Sequence, residues 1–371
     1  VIDLHNNQDH QSELPLIEKL LPLWIAMSML LGLMIGKLID ASTVELWPAV
    51  IVLRQIMQGK FTFDLGHIIS LGIPVGLFLM IYPAMAKIHM EEAAKALKNI
   101  KASAIVVFFN YLINPFLLWL FGWIFLRSQP ELWIGLILLG VAPCIAMVLV
   151  WTDLAGGNNS LALALMAWNS LIQMITTPLF IFLIIGSRIP LDIGLIAESV
   201  ILFLGMPLIA GAATRNILMR RKGHEWFVKV FVPGINRVQL AALLFTLVVM
   251  FSLKGDVIIA KPQLIPLMAL PLALFFVTLY FLTYNVGRRF NLTAHDAVAV
   301  AFNSTGRNFE LSIAIALTAF ASMPMVGVAT VVGPLIEVPV MLFLVSHAKK
   351  EVAMAPAEAA ARRHVFEDSQ V

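Results

Sequence analysis

The sequence predicts an all-α, polytopic membrane protein with ten transmembrane helices. Three observations carry this. Of 371 residues, 60% are hydrophobic and only 13% are charged, roughly half the charge that a soluble domain uses to face water. The mean hydropathy is +0.91. The apolar residues gather into runs of about 20, the length of a helix that crosses a bilayer, where the backbone must satisfy its own hydrogen bonds.

Ten such runs follow one another, near 19–39, 66–87, 103–126, 132–151, 160–186, 193–216, 234–253, 262–287, 295–320 and 327–347. The first is long, ends in Lys37 and Asp40, and is followed by further runs, so it is read as a span and not as a cleaved leader. The second holds Pro74 and the fourth Pro143; the fifth, sixth and eighth hold Pro178, Pro207 and Pro271. The ninth is interrupted at Gly306 and the tenth at Pro334. In a bundle such breakers mark kinks, or broken helices that line a cavity. Residues 1–18 read as a polar N-terminal segment and residues 348–371 as an Ala- and charge-rich C-terminal tail.

The chain divides into two halves of five spans, 19–190 and 191–347. The fourth span of the first half carries Ala142, Pro143 and Cys144 at its middle. The fourth span of the second carries Asn303, Ser304, Thr305, Gly306, Arg307 and Asn308. The fifth spans also match, Asn169 to Gln173 and then Pro178 against Gly333 to Glu337 and then Pro339. Five is odd, so two such repeats lie inverted in the membrane. Interrupted helices at matching positions are the sequence pointer to a transporter's binding site.

Orientation follows from the cations. Lys19, the group Lys87 to Lys101, the group Arg215 to Arg237, Arg288 with Arg289, and the basic residues of the tail fall on one side. Lys37, Arg54, Lys60, Arg127, Arg188, Lys254 and Lys261 fall on the other. The richer side is cytoplasmic, which places both termini inside.

The candidate chemistry lies in the spans. Glu310 is the sharpest signal, because an ionisable group at a helix centre costs about 2.5–3.5 kcal/mol on insertion scales. It is expected to face a cavity, where it exchanges a proton, binds a cation or pairs. Arg307 lies three positions earlier, a spacing that lets the two side chains meet on a helix; it either holds Glu310 or meets an anionic substrate. Cys144 follows a proline that frees a carbonyl. Its thiolate is a soft ligand, although a lone buried cysteine more often acts as a small hydrophobe. Glu337, Asn169, Gln173, Asn303, Ser304, Thr305 and Asn308 form a supporting polar set, or else interhelical hydrogen bonds.

Other features are read as structural. Gly32 with Gly36 and Gly72 with Gly76 allow close helix packing, the eighteen methionines fill core space, and His295 with Asp296 cap a helix start. A single cysteine excludes an intramolecular disulfide and a multi-thiolate zinc site. No HExxH, GxSxG or phosphate-binding loop is present. No enzyme activity, cofactor, resident metal or nucleic-acid partner is expected.

The motif residues resemble a known family. Gly140 to Trp151, with Pro143 and Cys144 at the centre, Leu154 to Gly157, and Asn169 with Gln173 are similar to the fourth- and fifth-span signatures of the arsenical resistance-3 arsenite permeases. Asn308 to Ala316 and Gly333 to Val340 resemble the ninth- and tenth-span signatures. The similarity runs over roughly 20–347. It implies the fold of the bile acid/arsenite/riboflavin transporter superfamily: two inverted five-helix repeats, crossed broken helices 4 and 9, and core and panel domains. It also implies efflux of arsenite, and for some members antimonite, by proton antiport across the cell membrane. The family's essential cysteine and glutamate carry over onto Cys144 (substrate) and Glu310 (proton coupling). Beside these, Arg307, Asn308 and Asn169 are expected to bind the substrate. Arsenous acid, protons and the lipid bilayer are the expected partners, with self-association into a homo-oligomer left open. Three positions depart from many members: Pro143 stands where they have Arg, Thr152 where they have Asn, and Arg307 where they have a small or amide residue. An arsenate or other oxyanion exporter using Arg307, and a sodium-coupled organic-anion transporter, are the alternatives.

Overall fold

A computed structural model describes residues 21–38, 65–87, 99–145, 147–186, 193–320 and 322–368. The N-terminal segment 1–18, Lys19, Arg54, Lys60, Lys95, Lys98, Arg188 and the boundary between the two proposed halves lie outside these residues.

The described chain is mostly helical, with short connections and one isolated β-bridge. Helix α1 spans Leu21–Leu38 and α2 Leu65–Lys87. Helix α3 runs from Ile100–Phe108 through a π turn, Phe109–Ile113, into Asn114–Phe125. Pro115 sits in the first turn after that bulge, where a missing N–H costs least. Two short helices follow, α4 (Pro130–Val141) and α5 (Met147–Leu154), and then α6 (Asn159–Ile185). Helix α7 runs from Ile193–Val200 through a π turn into Met206–Lys222. Helix α8 starts at His224–Trp226, passes a π turn at Phe227–Phe231 and continues as Val232–Ala260. Helix α9 is Leu264–Arg289, α10 Ala294–Thr305, α11 Phe309–Ala319 and α12 Pro324–Asp368.

Among the described residues six helices are long and apolar enough to cross a membrane, and four more apolar helices are shorter, Leu23–Gly36, Pro74–Lys87, Pro130–Val141 and Phe309–Ala319. Large apolar side chains lie exposed along them, Trp123, Ile175, Ile209 and Phe343 among others. Water would penalise that surface, and lipid does not. The chain is a multi-pass membrane protein. Helix α12 continues from the last span into the tail, to Asp368. One expectation changes. The cap of α10 is Thr293, whose hydroxyl accepts from the Asp296 N–H at 3.1 Å; His295 and Asp296 instead hold the loop between α5 and α6, through Gly156 O at 2.7 Å and Asn158 Nδ2 at 2.7 Å.

The helices pack as two groups. Helices α1, α2, the long part of α7 and α8 lie against one another, while α3 to α6 and α9 to α12 form the other group. Gly32 and Gly36 belong to the first. A Cβ on either would press on the α8 backbone, at Val248 O or Ser252 O, so these glycines permit the close α1–α8 contact that their spacing suggested. Polar ties close one end of this group: Lys87 Nζ donates to Asn236 Oδ1 at 3.0 Å and Gln239 Oε1 at 3.1 Å.

Candidate functional site

Helices α4 and α10 both stop inside the bundle, and the extended residues after them cross. Pro143 and Arg307 form an antiparallel bridge. The Cys144 N–H donates to Gly306 O at 3.0 Å and the Asn308 N–H to Ala142 O at 2.8 Å. In this pattern Pro143 and Arg307 face each other as a non-hydrogen-bonded pair, whose own N–H groups point out of the ladder. Proline therefore fits at 143, since the ladder does not need its N–H. The Arg307 N–H points outward toward the Glu337 carboxylate. Glycine at 306 relieves the crossing, because a Cβ there would lie a tight 3.0 Å from the Cβ of Cys144.

A helix that ends in an apolar interior leaves four carbonyls without intrahelical partners. Here side chains take them. On α4, Leu138 O accepts from Ser312 Oγ at 3.1 Å, Gly140 O from Arg307 Nη1 at 3.2 Å and Val141 O from Thr177 Oγ1 at 3.0 Å. On α10, Asn303 O accepts from Asn110 Nδ2 at 3.1 Å and Ser304 O from Asn114 Nδ2 at 2.9 Å. Thr305 O accepts from Arg307 Nε at 3.2 Å. Arg307 Nη2 also donates to Ser304 O and, at 2.8 Å, to Asn110 Oδ1. Its guanidinium carbon lies 5.5 Å from the Phe275 ring centroid.

This corrects one expectation. Arg307 does not pair with Glu310 among the described residues; its guanidinium goes to helix-end carbonyls and Asn110. The i, i+3 argument assumed a continuous helix, but Arg307 lies in the extended break before α11. Glu310 turns the other way, in the first turn of α11, where the helix dipole favours a carboxylate. Asn308 caps the same helix, accepting from the Leu311 N–H at 3.0 Å.

Glu310 and Glu337 line one cavity, which lies between the two helix groups. Ile25, Leu77, Met80 and Thr246 wall one side; Met147, Phe309 and Pro334 join the glutamates on the other. It offers about 40 Å³ to water-sized spheres, enough for roughly three waters. Among the described residues its lining holds two carboxylates and no cationic side chain. Cys144 is buried at the crossing and is not part of this lining. The chemistry expected at one point is thus split between a thiol in the crossing and carboxylates at the cavity.

The amides gather behind the crossing. Asn110 Nδ2 also donates to Asn169 Oδ1 at 3.2 Å, and Tyr111 Oη donates to Asn169 O at 3.0 Å. Asn303 Nδ2 donates to Ala299 O at 2.9 Å. Both polar amide atoms of Gln173, with Asn169 Nδ2, Asn303 Oδ1, Ser304 Oγ and Asn308 Nδ2, are buried with no partner among the described residues. Thr305 Oγ1 bonds back to Ala301 O at 2.7 Å, the turn of its own helix. Sequence reading missed Asn110 and Asn114, which hold the site together. The signal was there: two asparagines four apart, hence on one helix face, in an otherwise apolar span before Pro115.

Comparison with known proteins agrees with this architecture. The profile of the Sodium Bile acid symporter family matches residues 74–261. An arsenical-resistance protein Acr3 of Corynebacterium glutamicum is 33% identical over 89% of this chain and 88% of its own length. The Acr3 of Alkaliphilus metalliredigens is 32% identical over 88% and 91% respectively. A transporter of Synechocystis, slr0944, is 34% identical over 92% of this chain and 91% of its own. Matched by that profile over half its length and by Acr3 proteins over nearly all of it, the chain belongs to the Sodium Bile acid symporter family, a family of membrane transporters rather than enzymes.

Proposed function

We propose that this protein exports arsenite, and antimonite as a second metalloid, from the cytoplasm by exchange for protons. The observation that carries the reading is the crossing itself: it holds the single cysteine against Gly306 and places a membrane carboxylate, Glu310, one helix start away on a cavity wall. The likeness to the Acr3 arsenical-resistance proteins supports it. The two helix groups are read as panel and core of two inverted five-span repeats, with the cavity on the sliding surface and both termini in the cytoplasm.

The proposed chemistry is short. Arsenous acid is largely neutral at pH 7 and needs no cationic anchor. The Cys144 thiol adds to it by exchange: the S–H and one As–O bond break, an S–As bond forms, and water leaves. One sulfur gives a reversible bond, as a transporter needs. Glu310 then gains a proton on the far side and loses it on the near side as the core moves against the panel, so that proton entry resets the cycle. Asn169, Gln173, Asn303, Ser304 and Asn308 contribute amide and hydroxyl groups around the substrate, and Glu337 shares the carboxylate wall.

The oxyanion alternative draws less support. Arg307 is 1% exposed, is absent from the cavity lining, and spends four hydrogen bonds on protein oxygens. The test is arsenic accumulation in cells lacking other exporters. Expression of the wild type should lower accumulated arsenite, and Cys144→Ala and Glu310→Gln should not. Wild-type efflux by both variants contradicts the mechanism.

A further inference from the structure

A helix C-terminus carries about half a negative charge. Inside a membrane, the C-terminal ends and freed carbonyls of broken helices are where transporters hold a coupling cation. This chain brings two such ends together, α4 at Val141 and α10 at Thr305. One cationic group lies there. Arg307 reaches Gly140 O on α4, Ser304 O and Thr305 O on α10, and Asn110 Oδ1 on α3. These four bonds engage most of the five N–H donors of a guanidinium, which stays charged in proteins. Asn114 adds a neutral donor to the same carbonyl of Ser304. The group is buried against Phe275, away from the cavity that Glu310 and Glu337 line.

We infer that Arg307 is a tethered cation occupying the cation position of the crossed helix ends, so that transport by this chain proceeds without sodium although its family is named for sodium symport. The guanidinium already takes Gly140 O, Ser304 O, Thr305 O and Asn110 Oδ1 at the two helix ends, and it cannot leave. Its positive charge then contributes a fixed field at the crossing, and the proton remains as the moving charge. Arg307 is in this account a positioning residue: it holds the two broken helices and touches no substrate. The inference rests on the transporter reading of the site, but not on arsenite being the substrate.

The test uses purified wild type, Arg307→Ala and Arg307→Lys in choline, sodium or low-millimolar guanidinium chloride. The wild-type melting temperature should be the same in choline and sodium. Arg307→Ala should melt several degrees lower in choline and recover about 2–4 °C when sodium or guanidinium binds the emptied oxygens. Its transport in sodium-free vesicles should fall about tenfold and return in part with either ion. Arg307→Lys, which keeps the charge, should stay sodium-independent. A sodium-dependent rise in wild-type stability or transport overturns the inference. So does an Arg307→Ala protein that is as stable and active as wild type in choline, or a folded one that neither ion restores. If Arg307→Ala does not survive extraction, Arg307→Lys and the wild type decide: sodium dependence in either contradicts the assignment. The melting arm needs no substrate. Should arsenite prove not to be transported while the melting pattern holds, the cation assignment stands and the substrate reading falls.

Discussion

Cys144 owes its place to backbone more than to its own side chain. Its N–H is committed to Gly306 O, and its Cβ would be crowded to 3.0 Å by any side chain at residue 306. Replacing Cys144 by Ser keeps the size and the ladder bond but removes the soft sulfur. The expected result is a folded protein with arsenite transport reduced at least about tenfold, since a hydroxyl forms no comparable bond to arsenic; arsenite flux and melting temperature, measured together, check it. Glu310→Gln keeps the shape of the cavity wall and the polar contact. It should abolish stimulation by an imposed proton gradient while leaving the fold intact, as read by gradient-dependent against gradient-free flux. Stimulation that survives in Glu310→Gln would move proton coupling to Glu337 or elsewhere. Both residues stand out in the sequence, as a lone thiol beside a proline and a carboxylate in an apolar span, and the structure sets one in the crossing and the other on the cavity wall. The partner of Arg307 was not legible: spacing on a helix was the wrong ruler for a residue in an extended break.

At the scale of elements, the crossing depends on carbonyls being answered. Asn110 sits in the π turn of α3, which gives the helix an extra residue to turn an amide toward its neighbours. It joins α3 to Asn169 on α6 and to Asn303 and Arg307 on the α10 side. Asn110→Ala leaves a carbonyl and a guanidinium N–H without that partner. It should cost about 1–3 kcal/mol of stability, seen as a lower melting temperature with α-helical content retained. Gly306→Ala forces a methyl group to 3.0 Å from the Cβ of Cys144. Such overpacking costs about 1–3 kcal/mol, and the displaced thiol should lower arsenite flux more than Asn110→Ala does. The positions of the breaks were readable from Pro143 and Gly306. The π turn and the side-chain capping were not, because they are set by which carbonyls happen to face α3 after the helices assemble. Helix ends moved for a similar reason: α8 and α12 run past their apolar windows into polar residues, where hydropathy no longer marks helix.

For the whole molecule, hydropathy and breakers carried the helical, multi-pass architecture, and the matched breaks foretold where two short helix pairs would meet. What they did not reveal is the division of labour, a crossing sealed by Arg307 and the asparagines on one side and a carboxylate-lined cavity between two helix groups on the other. A protein built this way should couple metalloid to protons across a sliding surface. Everted membrane vesicles with an imposed proton gradient test this most directly, following arsenite and arsenate uptake in parallel, with and without sodium. The account predicts proton-driven arsenite uptake that does not need sodium and no arsenate uptake. Arsenate uptake alone, or arsenite uptake that requires sodium and ignores the proton gradient, would contradict it.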